Sequence, residues 1–217
     1  MAAALAPRIY VLAGVNGAGK SSIGGAMFRE AGADYFNPDE AARALRNRNP
    51  RLTQAEANAA AWMQGVRLLE RAIGERVDFA LETTLGGNTI ARLLERAADA
   101  GIQVHIWYAG LEGIERHVAR VKARVKKGGH DIPLADIRRR YAHSRLNLIH
   151  LMPKLAALRV YDNSAEADPA RGVEPSPTLV LHVERGRIIG PASLARTPQW
   201  AKPIVAAALR LITRPGC

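Results

Sequence analysis

A glycine-rich segment near the start of the sequence has the composition of a phosphate-binding loop. Residues 14–21 (GVNGAGKS) match the pattern G-x-x-x-x-G-K-[ST], and they stand between a predicted strand and a predicted helix, which favours this interpretation over a chance glycine turn. Glycines let successive backbone N–H groups point at phosphate oxygens, and the helix that follows directs its positive end there. Lys20 is placed to reach the β- and γ-phosphates, and Ser21 to bind Mg²⁺. The predicted ATP-binding residues are Gly14, Asn16, Gly17, Ala18, Gly19, Lys20, Ser21 and Ser22.

Two acidic residues follow predicted strands and could act in phosphoryl transfer. Asp39 comes after the short strand 35–36, and Glu82 ends the apolar run 77–82. Carboxylates at the carboxyl ends of parallel strands can accept the proton of a hydroxyl or help to hold Mg²⁺. Asp39 is equally well explained as a helix N-cap, where Asp is common. Because a buried acid is costly without a partner, we expect Glu82, with Thr83 beside it, to bind the acceptor or to support the Mg²⁺ site.

Most of the net charge of +11 lies in one stretch of the chain. Residues 116–145 contain ten Lys or Arg and two acids, so they carry eight of the eleven net positive charges. A concentrated basic patch favours a single anionic ligand, which could be a nucleotide, a nucleic acid or an anionic membrane. A solvated face of two helices is the simpler alternative.

The arginines of this stretch are spaced like those of a kinase lid, which we define as residues 112–145. In the predicted helix 112–127, the arginines lie opposite a stripe of valines. A flexible Gly-Gly-His turn follows at 128–130, and then three consecutive arginines. We expect such a lid to close over the phosphates, exclude water and stabilise charge on the transferring group. The predicted roles are catalytic for Arg120 and Arg124 and substrate-binding for Arg138 and Arg139.

Several protein classes are excluded by composition or by missing motifs. With 48% hydrophobic and 24% charged residues, the chain is typical of a globular protein and unlike a disordered one. It has no Asn-Lys-x-Asp motif of GTPases, no Leu-Ser-Gly-Gly-Gln motif of transporter ATPases, and no apolar run of the roughly 18–20 residues that span a bilayer. The first residues lack the features of a secretory signal, and the only cysteine is Cys217. We therefore expect a cytoplasmic protein with neither a disulfide framework nor a cysteine-based metal site.

Alternating strands and helices must position these residues. The predicted strands are 8–13, 35–36, 77–82, 102–108 and 158–162, and the helices that alternate with them lie near 20–31, 39–47, 53–75, 88–100, 112–127 and 135–152. This order predicts an α/β fold with a mostly parallel five-stranded sheet flanked by helices. Residues 1–164 form the predicted kinase core with its lid. Residues 165–217 form a predicted C-terminal extension of loop, β-hairpin (178–184 and 187–189) and helix (198–212), packed on the same domain.

Taken together, the motifs resemble the zeta toxin family of P-loop kinases, and its chromosomal branch in particular. The resemblance covers about residues 8–164. It is carried by GVNGAGKSS (14–22), NPDE (37–40), ETTL (82–85), the stretch 120–141 with GGHDIP (128–133) at its centre, and YDNS (161–164).

The resemblance implies a P-loop kinase sheet in the order 2-3-1-4-5 and ATP- and Mg²⁺-dependent phosphoryl transfer. The best-known members phosphorylate the sugar 3′-hydroxyl of UDP-N-acetylglucosamine, so a UDP-N-acetylsugar is the acceptor that the resemblance suggests. By the same resemblance, Asp39 accepts the hydroxyl proton and Glu82 contacts the acceptor. Arginines 120, 124 and 138–140 stand where the family has its lid arginines.

Three functional hypotheses remain open on the sequence alone. The first is a kinase that acts on a small-molecule acceptor. The second is a polynucleotide or RNA-end kinase, which the basic patch would serve, although Tyr141 is the only aromatic residue within that patch. The third is a nucleotide-binding toxin–antitoxin module in which a partner protein covers the ATP site. A membrane partner is not expected.

Overall fold

The computed structural model describes residues 6–20, 23, 35–165 and 176–213. Its strands are β1 (Arg8–Ala13), β2 (Tyr35–Phe36), β3 (Phe79–Thr83), β4 (Gln103–Gly110), β5 (Ala157–Asp162), β6 (Thr178–Glu184) and β7 (Arg187–Gly190). They form a seven-stranded sheet in the order β2-β3-β1-β4-β5-β6-β7. The α/β class and the order 2-3-1-4-5 of the first five strands are therefore confirmed.

The sheet has seven strands where five were predicted, because the C-terminal hairpin joins it. The first five strands pair in parallel, while β6 pairs antiparallel with β5 and β7 antiparallel with β6. An open β5 would present unpaired N–H and C=O groups along its outer edge, and β6 satisfies them. The sequence predicted the hairpin but contained no signal for the edge on which it pairs.

Six α-helices lie within the described residues: α1 (Pro38–Arg48), α2 (Gln54–Glu75), α3 (Asn88–Asp99), α4 (Ile114–Lys126), α5 (Leu134–Leu151) and α6 (Lys202–Thr213). Short 3₁₀ turns stand at Met152–Lys154 and Gln199–Ala201. The predicted capping box of α2 is present, since Thr53 caps the helix and Glu56 bonds back to it. The predicted helix 20–31 lies largely outside the described residues.

A large apolar core lies between the sheet and the helices α2, α3, α5 and α6. Its members include the fully buried Ile9, Leu69, Leu94, Val104, Leu148 and Ile204. Burying a side chain of this size contributes about 1.5–3 kcal/mol. This core fixes the carboxyl ends of β1, β3, β4 and β5 relative to one another, and these ends carry the candidate site.

A second, smaller apolar cluster joins the lid to the loop after β1. Val15 of that loop packs with Val121, Ile132 and Ile137 of the lid. All four side chains are at most 8% exposed. The lid and the loop are therefore held together by packing as well as by polar contacts.

No helix in the described ranges is both long enough and apolar enough to cross a membrane.

Candidate phosphoryl-transfer site

The segment after β1 has the backbone of a phosphate-binding loop. Three of its glycines have positive φ angles, which are 141° at Gly14, 82° at Gly17 and 77° at Gly19. At Gly14 a β-carbon would overlap a backbone carbonyl oxygen of β4, so only glycine fits there. The turn is closed by the N–H of Ala18, which donates to the carbonyl of Val15 at 3.0 Å. Turned backbone of this kind directs N–H groups towards an anion.

Lys20 folds back across this loop and is only 8% exposed. Its Nζ donates to the carbonyl oxygen of Gly14 at 2.9 Å and lies 3.4 Å from Oε1 of Glu82. These two oxygens balance the buried ammonium group at the mouth of the loop. Ser21 and Ser22, which the sequence assigns to ATP and Mg²⁺, lie outside the described residues.

Glu82, on β3, has the partners that its burial requires. Its side chain is 13% exposed. Beyond the contact with Lys20, its Oε2 accepts hydrogen bonds from the hydroxyl of Tyr35 at 2.6 Å and from Nδ2 of Asn37 at 3.3 Å. Three elements therefore hold this carboxylate at the edge of the sheet where the loop lies.

Asp39 lies in the first turn of α1 but does not cap the helix. The N-cap is Asn37, whose Oδ1 accepts hydrogen bonds from the backbone N–H groups of Asp39 at 2.9 Å and Glu40 at 3.3 Å. The N-cap explanation for Asp39 is therefore wrong. Its carboxylate is 44% exposed, forms an ion pair with Nη1 of Arg124 at 3.3 Å, and lies 4.0 Å from Nε2 of His130.

The two lid arginines predicted to be catalytic have different partners. Arg124 joins the lid to Asp39, and its Nη2 also donates to the carbonyl of His130 at 3.4 Å. Arg120 donates from Nη2 to the carbonyls of Asn163 at 2.8 Å and Ala165 at 3.0 Å. Arg124 thus faces the acidic side of the site, and Arg120 faces the segment after β5.

The three consecutive arginines on α5 do not share one direction. Arg138 and Arg139 are exposed and lie outside the cavity, and Arg139 pairs with Asp136 at 2.8 Å. Arg140 lines the cavity, and its Nη1 donates to Oδ1 of Asn16 at 2.7 Å. Consecutive helical residues point about 100° apart, so one of the three faces the loop. The structure places Arg140, and not the predicted pair Arg138 and Arg139, at the site.

A cavity of about 1450 Å³ joins these residues. Its lining includes the loop residues Asn16, Gly17, Gly19 and Lys20, which we call the loop end, and residues of β2 and of the helices α1 to α3, which we call the helix end: Phe36, Arg43, Asn58, Trp62 and Thr89. Glu82 and Thr83 line it as well. Small-molecule pockets commonly occupy about 300–1000 Å³, so this cavity has room for two ligands side by side.

His117, which the sequence analysis did not single out, lies directly beneath the loop. It is 1% exposed, and its Nδ1 donates to the carbonyl of Asn16 at 2.8 Å. Burial lowers the pKa of His117 from 6.5 to about 4, with the hydrogen bond to Asn16 opposing that shift. The ring is therefore neutral at pH 7. One signal was available, since His117 stands four residues before Val121 on the apolar stripe of the lid helix.

Asn163 is a second buried polar residue against the loop. It is 4% exposed, and its Nδ2 donates to the carbonyl of Ala18 at 3.0 Å. Its own backbone N–H donates to the carbonyl of Gly110 at the end of β4, at 2.9 Å. A β-carbon at Gly19 would overlap its side-chain amide. Asn163 therefore braces the loop from the side, a role that its place in the YDNS motif did not reveal.

The described residues fit a nucleotide that brings its own metal ion. The positive-φ glycines and the buried Lys20 suit a polyphosphate. Within the described ranges, no group of three His, Cys, Asp or Glu residues could hold a metal ion. Mg²⁺ in kinase sites is held by one or two protein groups together with the phosphates, so such a cluster is not required.

Comparison with known proteins gives one match to a family and several to folds. The family described as "Zeta toxin" matches residues 2–168. A Haemophilus influenzae protein described as uncharacterized is 35% identical over 128 residues, which are 59% of this chain and 88% of that protein.

The structural matches have low sequence identity. A chain from the AvrRxo1-ORF1:AvrRxo1-ORF2 structure with ATP superposes with a TM-score of 0.65 at 17% identity, over 99% of this chain and 67% of that one. In the structure of that complex with sulphate ions, this chain spans 64% of the matched chain. A chain from the PezAT chromosomal toxin–antitoxin system of Streptococcus pneumoniae matches with a TM-score of 0.55 at 14% identity, over 96% of this chain and 88% of that one. These likenesses show a shared fold.

Proposed function

This chain belongs to the zeta toxin family, and from that premise we propose that it is an ATP- and Mg²⁺-dependent kinase that phosphorylates a hydroxyl group of a small-molecule acceptor. A UDP-N-acetylsugar is the first acceptor to test. The observation that carries the proposal is the position of Lys20, Glu82, Asp39 and Arg124 around a single cavity beside the glycine loop.

The loop end of the cavity is the proposed ATP site. Lys20 would exchange its contacts with Gly14 and Glu82 for phosphate oxygens, and the N–H groups of the loop would donate to the same phosphates. Magnesium, when bound, supplies positive charge that offsets the phosphate charge, and Ser21 is its proposed protein ligand. The segment around Asn163 closes the side of this end.

Asp39 is the proposed base. Its carboxylate is 44% exposed, lines the cavity and pairs with Arg124 of the lid. In the proposed step the acceptor oxygen forms a bond to the γ-phosphorus, the bond between that phosphorus and ADP breaks, and the hydroxyl proton passes to Asp39. Glu82 and Thr83, both on β3, are proposed to orient the acceptor.

Arg124 and Arg140 are the proposed clamps on the transferring group. Arg124 already contacts Asp39 and Arg140 contacts Asn16, so both guanidinium groups border the space between base and loop. Charge that develops on the phosphoryl oxygens is stabilised most by donors already held in place. Arg120 is proposed to act nearer the nucleotide, since its partners belong to the segment after β5.

The helix end of the cavity is the proposed acceptor site. Trp62 is 46% exposed there, with Arg43 and Asn58 nearby. An aromatic face, a cation and an amide suit a polar acceptor that carries a planar ring and negative charge.

The exposed lysines on the outer face of the lid favour a second candidate, an RNA-end kinase. Lys122 and Lys126 on α4, with Arg138 and Arg139 on α5, are exposed and lie outside the cavity. Such a patch would bind a polynucleotide with strong salt dependence.

A protein partner is a further proposal, because matched folds occur in complexes described as AvrRxo1-ORF1:AvrRxo1-ORF2 and as a toxin–antitoxin system. Co-purification of a second small protein would support such a partner.

The proposal is tested by incubating the purified protein with γ-labelled ATP, Mg²⁺ and a panel of nucleotide sugars, nucleosides and RNA ends, with products identified by mass spectrometry. We expect label on a small-molecule hydroxyl with the native protein and none with Asp39→Asn, while Asp39→Asn still binds ATP. Asp99→Asn is the matched control, since Asp99 is exposed and pairs with Lys154 away from the cavity. Labelled RNA ends with unlabelled small molecules would select the second candidate, and normal turnover by Asp39→Asn would remove Asp39 as the base.

A further inference from the structure

The C-terminal segment 176–213 lies outside the residues that the family matches, yet one of its side chains contacts the ends of β4 and β5 next to Asn163, which lines the cavity. That side chain is Trp200, in the 3₁₀ turn Gln199–Ala201, and it is 3% exposed. Its ring packs so closely on the last residue of β4 that a β-carbon at Gly110 would overlap it. We infer that Trp200 is a positioning residue for ATP, which acts by fixing the segment after β5 that braces the phosphate loop. The inference rests on the proposed function.

The indole N–H of Trp200 enters a polar network at the end of β5. Nε1 donates to Oδ1 of Asp162 at 2.9 Å, and the same oxygen accepts the hydroxyl of Ser164 at 2.6 Å. The Ser164 hydroxyl in turn accepts the backbone N–H of Glu112 at 2.7 Å, at the base of the lid. These bonds fix the residues on both sides of Asn163.

Asn163 passes this constraint to the phosphate loop. It stands between Asp162 and Ser164, and its side-chain amide bonds to the carbonyl of Ala18. Its own carbonyl accepts Arg120 of the lid at 2.8 Å. The residue next to Asp162, the hydrogen-bond partner of the indole, thus contacts both the loop and a lid arginine.

The backbone of Trp200 is linked to the loop by a second route. Nη1 of Arg145 on α5 donates to the Trp200 carbonyl at 3.2 Å, and its guanidinium lies 4.1 Å from the ring centre of Tyr141. The Tyr141 ring meets His117 edge-on at 5.5 Å, and His117 bonds to Asn16 of the loop. The indole N–H and the backbone carbonyl of Trp200 are therefore bound by Asp162 and Arg145, and each of these residues is connected to the phosphate loop through its neighbours.

The test compares ATP affinity with stability in Trp200→Phe. Phenylalanine keeps an aromatic ring in the core and leaves the backbone contact with Arg145, but it removes the indole N–H and the outer ring atoms that pack on Gly110. Loss of one hydrogen bond to the half-buried carboxylate of Asp162 should weaken ATP binding about fivefold, measured by calorimetry with Mg²⁺ present. In an Asp162→Ala background the same change should have little further effect on ATP affinity, because the shared bond is already absent.

Ile204→Val is the matched control, because Ile204 is fully buried in the same C-terminal segment and belongs to the large apolar core. It should lower Tm but leave ATP affinity within about twofold of the native value. If Trp200→Phe lowers Tm and yet binds ATP like the native protein, the inference fails and the proposed kinase function stands. If the native protein itself binds no ATP, both fail together.

A second variant covers the case in which Trp200→Phe does not fold. Ser164→Ala removes the hydroxyl that joins Asp162 to the backbone of Glu112 and disturbs no apolar packing. We expect about threefold weaker ATP binding with little change in Tm. Unchanged ATP affinity in Ser164→Ala would overturn the inference.

Discussion

Nη1 of Arg124 lies 3.3 Å from Oδ2 of Asp39, so the lid and the start of α1 meet directly across the cavity. Both groups are more than a third exposed, and an ion pair of that kind contributes little to stability. Its importance lies in position, since it places a cation beside the proposed base and at the border of the proposed ATP site.

Replacing Arg124 with glutamine should therefore affect chemistry more than binding. We expect the rate of phosphoryl transfer to fall about 100-fold, because a donor held close to the transferring group is lost. ATP affinity should change less than about threefold, since Lys20 and the loop remain. Initial rates with γ-labelled ATP and calorimetric titration give the two quantities.

Arg139→Gln is the matched control for that experiment. Arg139 is on the same lid and pairs with Asp136, but it is 57% exposed and lies outside the cavity. Its replacement should change the rate less than twofold because its guanidinium lies outside the cavity, and the loss of a surface ion pair should cost only about 0–1 kcal/mol of stability. Equal losses in the two variants would mean that net lid charge, and not the position of Arg124, sets the rate.

Glu82→Gln separates acceptor binding from ATP binding. Glutamine keeps an oxygen for the Tyr35 hydroxyl but removes the negative charge beside Lys20. Because Glu82 is proposed to orient the acceptor, we expect kcat/KM for the acceptor to fall about tenfold, the effect of one charge-assisted hydrogen bond. ATP affinity should not weaken, since Lys20 loses a competing partner.

Glu75→Gln is the control for the loss of one carboxylate, because Glu75 is exposed at the end of α2, lies outside the cavity and pairs with Arg71 on the same helix. It should leave both kcat/KM and ATP affinity unchanged. If Glu82→Gln instead weakened ATP binding and left acceptor use unchanged, Glu82 would belong to the nucleotide site.

Local sequence signals predict much of the fold, but they predict only some of the side-chain contacts at the candidate site. Strand and helix order could be predicted because apolar runs, glycines and caps act over a few residues, as Thr53 and Glu56 do at α2. The positions of Asp39 and Glu82 followed from the rule that parallel strands end at one edge. Arg140 could not be separated from Arg138 and Arg139, because the direction of a helix face depends on what it packs against.

The contacts of His117 and Trp200 were not predictable for a different reason. Both residues stand among apolar residues in the sequence, and each forms a hydrogen bond with a residue far away in the chain. Nothing local signals such a contact. The pairing of β6 with β5 has the same cause, since an open strand edge is a property of the assembled sheet.

Two glycines of α2 should respond in opposite directions to alanine. At Gly65 a β-carbon would stand 2.6 Å from the ring of Phe36, while at Gly74 it would meet nothing within 4 Å. Gly74→Ala should raise the free energy of unfolding by about 0.5–1 kcal/mol through helix propensity. Gly65→Ala should lower it by about 1–3 kcal/mol, because the Phe36 ring must move. Urea denaturation of the two variants measures both, and a stabilised Gly65→Ala would contradict the packing described between α2 and β2.

Lowering the pH should reduce the free energy of unfolding, because His117 is buried as a neutral ring. The folded protein binds a proton at His117 only near a pKa of about 4, because the ring is buried, whereas the unfolded chain binds it near 6.5. Between these values the unfolded state holds more protons, so stability falls as the pH drops, by about 3 kcal/mol from this group. His117→Asn can still donate to the Asn16 carbonyl but does not titrate, so its free energy of unfolding should fall less between about pH 7 and about pH 4. His143→Asn, at an exposed position on α5, should follow the native curve. Parallel pH profiles for the native protein and His117→Asn would mean that His117 does not change its protonation on unfolding.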